Sequence, residues 1–155
     1  MFNRDIRLLY DIDVSDVEYA AARDHYGKYL ISPNYVNAGV LLLNLGYMRR
    51  TGILTKAREL LRRKKLTFAD QSALIRSTSK KKMLAQRFND QKFLHKHTVV
   101  RHFSKRLFWL PYPHTKNIKQ WHLDDVRRVF GYECFDDIFK EYVTLKERFE
   151  REDLC

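Results

Sequence analysis

Asp70 and Gln71, within "FADQSAL", set a carboxylate beside a primary amide, and Asp70 is the only carboxylate between Glu59 and Asp90 in a stretch rich in lysine and arginine. Such a pair has two uses. A carboxylate in the first turn of a helix stabilises it by about 0.3–1 kcal/mol through the helix dipole. Alternatively, the two side chains form a polar pair aimed from a helix N-terminus into a sugar site. His102, in "TVVRHF", offers an imidazole that ligates divalent ions when carboxylates join it and is otherwise a hydrogen-bonded structural group. His95 and His97 precede it, but on an alternating strand His97 shares a face with Val99 and Arg101 while His102 faces the other way with Val100. A three-histidine zinc site is therefore not expected. Lys119 and Trp121, in "NIKQWH", combine a cation able to neutralise a diphosphate with a ring able to stack on a base or sugar. They read equally as a solvated lysine beside a core tryptophan.

These groups need a scaffold. "YVNAGVLLLNL", residues 35 to 45, places Asn37, Ala38 and Gly39 before the apolar run Val40 to Leu43 and reads as a strand buried on both faces. Tyr19 to Ala22 form a short strand-like run ahead of Arg23 and Asp24. In "TGILTKARELLRRKK", Ile53, Leu54, Ala57, Leu60 and Leu61 recur at helical spacing, an amphipathic helix that covers the sheet. A second helix is expected from "TFADQSALIR", with Thr67 as N-cap and Asp70 three places on. "TVVRHF" alternates as a strand, "FWLPYPH" is an aromatic loop stiffened by proline, and Phe135, Ile138, Phe139, Tyr142, Val143 and Phe149 mark a C-terminal helix. The expectation is α/β, with residues 1–131 as one domain and an amphipathic helix in 132–155 packed on it.

Thirty basic against nineteen acidic residues give +11. No carboxylate occurs from His25 through Arg58, nor from Gln91 through Leu123, where seven Lys or Arg and five His occur. Those regions attract anions: phosphate groups, nucleic acid or an anionic membrane face. The chain has no apolar stretch long enough to span a bilayer, and acidic residues stand where a signal peptide needs an apolar core, so a cytoplasmic location is expected. Cys134 and Cys155 lie far apart without metal-ligand spacing and read as reduced thiols.

Taken in order, "YAAARD", "YVNAGVLLLNL", "FADQSAL", "QRFN", "VVRHF" and "IKQW" resemble glycosyltransferase family 8, which includes bacterial lipopolysaccharide glucosyl- and galactosyltransferases and glycogenin. The resemblance covers most of residues 5 to 121, and "NAGVLLLNL" with "DQSAL" is its most specific part. It implies a GT-A fold, a Rossmann-like mixed sheet flanked by helices, and retaining transfer of a hexose from a UDP-sugar to lipopolysaccharide or another saccharide acceptor, with Mn2+ or Mg2+. On this resemblance Asn37, Ala38 and Gly39 floor the donor-sugar pocket, and Arg23 and Asp24 contact the donor from the other side. Asp70 binds sugar hydroxyls, the Gln71 amide lies near the anomeric carbon, His102 ligates the metal and Lys119 binds phosphate.

The chain departs from the family pattern in three places. Ser72 stands where the family has the second Asp of Asp-Gln-Asp. A long aromatic insertion separates His102 from Lys119, and Gln120 replaces a proline. The Asp-x-Asp that supplies the main metal ligands is expected before residue 5; Asp11 to Asp13 align with a later element. The resemblance thus implies the C-terminal part of such an enzyme, without its first strands and with little activity alone. Other classes are a basic module for nucleic acid, which lacks any recognised nucleic-acid motif, and an inactive pseudoenzyme. Peripheral contact with an anionic inner-membrane face is compatible with the transferase reading.

Overall fold

Three consecutive alanines after Tyr19 let neighbouring elements approach Tyr19–Arg23 (β1) closely from both sides, and Tyr19 to Ala22 are wholly inaccessible to solvent. In the computed structural model, which describes residues 1–131, 133 and 135–152, β1 is the centre of a three-stranded sheet. Val36–Leu43 (β2) runs antiparallel on one side, with Ala21 opposite Leu41 and Tyr19 opposite Leu43, and Lys81–Leu84 (β3) runs parallel on the other. The two-residue period of β1 sorts its side chains into two cores. Tyr19 and Ala21 pack with Val36, Met48, Ile53 and Leu74, whereas Ala20 and Ala22 pack with Leu9, Leu84, Phe88, Val99 and Val100. The α/β class is as expected, and the sheet is mixed.

Short helices Arg7–Tyr10 (α1) and Gly27–Leu30 (α2) precede longer ones, Leu45–Thr51 (α3), Ile53–Arg63 (α4) and Ala69–Ser77 (α5). Asn44 fixes the exit from β2: its Oδ1 accepts from Tyr47 N at 2.9 Å and its Nδ2 donates to the Val14 carbonyl at 2.8 Å. Gly52, at φ 64°, ends α3 and begins α4, a left-handed position that glycine takes without a steric penalty. Ile53 and Ala57 carry the buried face of α4, while Leu54 and Leu61 remain exposed.

Several expectations are corrected. β2 is an edge strand with Val40 to Leu42 half-buried and Leu43 exposed, so the strand buried on both faces is β1. The apolar run of β2 instead lines an open groove with Phe2, Ile6 and Leu9. Thr67 is not a helix cap. Phe68, at φ 53°, precedes α5 and gives it no side-chain hydrogen bond. "TVVRHF" is no strand: it makes two single bridges, Val100 with Phe2 and Arg101 with Asp90, and Thr98 to Arg101 are all buried rather than alternating. Its apolar and polar residues come in pairs, Val99 with Val100 and Arg101 with His102, so the segment lacks the two-residue period of a strand with one buried face.

The described chain divides into two compact units, Met1–His102 and Phe103–Cys155, whereas the sequence placed a boundary at 131/132. In the second unit, Lys105–Phe108 (β4) and His114–Asn117 (β5) form an antiparallel hairpin whose connection, "WLPYP", is the expected aromatic loop, with a cis Leu110–Pro111 bond. Leu123–Phe130 (α6) and Asp136–Glu152 (α7) follow. Phe103 meets Phe130 and Phe135 edge to face, at ring separations of 5.7 and 6.3 Å. Phe135 and Phe139 are buried, but Ile138, Tyr142, Val143 and Phe149 are exposed, so only the start of the expected helical stripe packs. Cys134 and Cys155 lie outside the described residues.

Glu18, almost wholly buried at the mouth of β1, ties the turn before β3 by accepting from Ser79 N at 2.9 Å, Ser79 Oγ at 3.1 Å and Lys80 N at 3.2 Å. Burial pushes its carboxyl up, but hydrogen bonds from Thr51, Lys80 and Ser79 outweigh that and hold it below the usual range. A depressed folded-state value contributes stability above the unfolded pKa, about 4.3, that is lost as pH falls through the folded value. Glu18→Gln should therefore lower stability at neutral pH and flatten its acid dependence below about pH 4.3 in urea denaturation series.

Candidate functional site

Where β1 ends and β2 begins, a set of polar side chains is joined end to end. Asp24 follows β1, and its N–H donates to the Tyr35 carbonyl at 2.9 Å. One carboxylate oxygen accepts from Tyr26 N at 3.0 Å and Gly27 N at 2.6 Å, the short-range turn for which aspartate is suited. A Cβ on Gly27 would lie 2.3 Å from the Tyr35 ring, so glycine is required for this turn to close. The other oxygen accepts from Asn37 Nδ2 at 2.7 Å.

Asn37 Oδ1 then accepts twice, from Gly39 N at 2.8 Å and from Asn89 Nδ2 at 3.0 Å. Asn89, wholly buried, presents its own Oδ1 to His102 Nδ1 at 2.9 Å. A backbone ladder keeps Asn89 and His102 level. Asp90 N donates to Val100 O at 3.0 Å, His102 N donates to Asp90 O at 2.9 Å, and the buried Arg101 guanidinium reaches the carbonyls of Asp90 and His102 at 2.7 and 2.5 Å. Thr98 Oγ1 donates to the Asp90 carboxylate at 2.5 Å.

The imidazole occupies the room above Gly39. A Cβ built there would stand 2.0 Å from His102 Cε1, so any other residue at 39 must displace the ring. Gln71 closes the arrangement from α5, its Oε1 accepting from Ala38 N at 3.0 Å, which leaves its NH2 as the end that can address a ligand. The first turn of α5 is tied by Ser72, whose Oγ lies 2.7 Å from Tyr35 OH and also donates to the Thr67 carbonyl. The left-handed Phe68 just before it costs on the order of 1–2 kcal/mol, strain of a kind that concentrates at functional positions.

Asp24, Asn37, Ala38, Gly39, Gln71 and His102 are thus brought together within the first unit. Asp70 is exposed on the first turn of α5, and Arg23, also exposed, donates from Nε to the Pro33 carbonyl at 3.1 Å. Lys119 and Trp121 belong to the second unit, between β5 and α6, with Trp121 half exposed. The sequence reading did not single out Asn89 or Gln91. Gln91 accepts from His25 N at 3.1 Å and donates to the Arg23 carbonyl at 3.1 Å, pinning the chain on which Asp24 stands. Burial, with Lys92 and Lys28 nearby, pushes the His25 imidazole below its usual value, and Asp24 only partly offsets them.

The divalent cation implied by the resemblance needs several ligands. Among the described residues no three His, Cys, Asp or Glu side chains stand together to hold one, and His102 alone does not complete such a site. Compared with family models, curated proteins and solved structures, the chain matches none.

The two glycines flanking the β2 run should respond oppositely to the same change. Gly39→Ala forces the His102 ring aside and should cost about 1–3 kcal/mol, as overpacking does. Gly46, inside α3, has only ordinary contacts waiting for a Cβ, the nearest at 3.6 Å. Gly46→Ala should therefore stabilise by about 0.5–1 kcal/mol. Chemical denaturation of both variants checks the signs.

Proposed function

We propose that this chain carries donor-sugar machinery similar to that of glycosyltransferase family 8, and takes part in retaining transfer of a hexose from a UDP-sugar to a saccharide or lipid-linked saccharide acceptor. The observation that supports this most is the hydrogen-bonded union of Asp24, Asn37, Gly39, Gln71 and His102, residues that the resemblance had picked out separately along the chain. Here Asp24 supports Asn37 rather than facing the donor, and the Gln71 NH2 lies near the anomeric carbon. Asp70 holds sugar hydroxyls, and for Lys119, in the second unit, a phosphate-binding role rests on the resemblance alone. A bound Mn2+ or Mg2+ would supply stabilisation of charge on a departing diphosphate, and among the described residues His102 by itself falls short of the ligands such an ion needs.

Two outcomes follow for the purified 155-residue chain. UDP-glucose or UDP-galactose should bind in calorimetric titration with Mn2+ present, and Gln71→Leu should weaken that binding at least tenfold, because it removes a buried hydrogen-bonding group. Transfer and UDP-sugar hydrolysis should be absent. A folded chain that binds neither UDP-hexose would contradict the donor-site reading and favour a pseudoenzyme or a basic module that recognises polyanions by charge alone. Detectable turnover would contradict the incomplete ligand set of the described residues.

A specific feature favours peripheral contact with an anionic membrane as part of this function. Trp109, Leu110 and Tyr112 at the β4–β5 connection are 71%, 84% and 66% exposed. Lys105 and Arg106 stand on the strand that leads into them, while Lys116 opposite is paired with Asp125 at 2.7 Å. Aromatic rings suit the headgroup boundary and the cations suit anionic lipid. No helix among the described residues is long and apolar enough to cross a membrane. Vesicle sedimentation at low salt should show binding to anionic but not neutral vesicles, and replacing Trp109 and Tyr112 by alanine should reduce it severalfold. Equal binding by that variant would assign the contact to charge alone.

A further inference from the structure

We infer that Asn89 is a positioning residue that holds His102 in the Nδ1–H tautomer, placing the imidazole lone pair on Nε2. The inference deepens the donor-site reading and rests on it for its place in function, since it specifies which nitrogen of His102 carries the lone pair there.

The polarity of the hydrogen-bond chain is fixed from both ends. The Gly39 backbone N–H is a donor whatever the side chains do, so the Asn37 atom 2.8 Å from it must be the carbonyl oxygen. Asn37 then turns its NH2 toward the Asp24 carboxylate, 2.7 Å away, which can only accept when ionised. The two conditions agree, and rotating the Asn37 amide by 180° would violate both at once.

The next link inherits that polarity. Asn37 Oδ1 faces Asn89 at 3.0 Å, so Asn89 must offer its NH2, and its carbonyl oxygen necessarily turns to the imidazole. A carbonyl oxygen 2.9 Å from His102 Nδ1 requires a proton on that nitrogen. Neutral imidazole carries one N–H, so Nε2 holds the lone pair. An unconstrained histidine side chain favours the opposite tautomer, Nε2–H. Burial makes the link demanding: Asn89 is wholly inaccessible and Asn37 is 8% exposed, so an oxygen facing an oxygen between them would have little water to relieve it. The Asp90–Arg101 bridge keeps the amide and the ring level, and the absence of a Cβ at Gly39 gives the ring its place.

The test is long-range proton–nitrogen correlation NMR on the intact chain with nitrogen-15-labelled histidine, at a pH where the rings are neutral. His102 is assigned as the spin system that disappears in His102→Gln. The wild-type ring should show Nδ1 at the protonated, pyrrole-type shift and Nε2 at the unprotonated, pyridine-type shift. Asn89→Ala should lose that pattern in favour of Nε2–H. A wild-type ring protonated at Nε2 would overturn the inference without any variant, so an Asn89→Ala protein that fails to fold leaves it testable. An Nδ1–H ring that persists in a folded Asn89→Ala protein would also overturn it, because a merely structural asparagine would not move the tautomer. Loss of UDP-hexose binding would sink the donor-site reading and leave this measurement unaffected.

Discussion

The backbone N–H of Gly39 and the carboxylate of Asp24 impose opposite demands on one side chain, Asn37, and much of the first unit is arranged to meet them. Asn37 is nearly buried at the start of an edge strand, where an unsatisfied amide would cost on the order of 1–3 kcal/mol. Meeting both demands sets the amide's orientation. That in turn dictates how Asn89 sits and which face of the imidazole meets it. The turn at Asp24 to Gly27, the irregular pairing between β1 and β2, and the Asp90–Arg101 bridge bring these groups within reach.

The sheet serves this arrangement by being thin where it must be. Alanines in β1 let the α3, α4 and α5 helices close on one face and the Leu9, Phe88 and Val99 cluster on the other. The ends of β1 and β2 therefore sit at a fixed place between two packed layers, and Asp24 and Asn37 inherit that rigidity. Gln71 is held from the same side by α5, whose entry is anchored by Ser72 to Tyr35 and Thr67. The pattern that the sequence resembles has a carboxylate at this position. Here a hydroxyl of the right length makes a structural tie instead.

What the sequence made legible were features carried by local pattern. The helix over Ile53 to Arg63 follows from its apolar spacing, and the strand at Tyr19 was legible as a short run, Tyr19 to Ala22, ended by the charged pair Arg23 and Asp24. The buried status of β2 was misread because a run such as Val-Leu-Leu-Leu looks the same in a central strand and in an edge strand beside an apolar groove. The "TVVRHF" segment was read as alternating, but its apolar Val99 and Val100 and its polar Arg101 and His102 come in pairs, and Thr98 to Arg101 are all buried. Asn89 carried no signal beyond standing in "QRFN": its role is defined by a partner thirteen residues on and another far behind, which only the tertiary fold supplies. Gly39 was legible as a space-making residue, and the structure fills that space with the His102 imidazole.

The most direct single measurement is amide NMR of the labelled chain during titration with UDP-glucose in the presence of Mg2+, a diamagnetic divalent ion. If the joined side chains form a donor-sugar site, the largest shifts should fall on Ala38, Gly39, Gln71 and His102, with Asn37 and Asn89 following through their hydrogen bonds. Shifts confined to residues away from the network, or none at saturating ligand, would mean that the network is a structural device of the fold and not a sugar site.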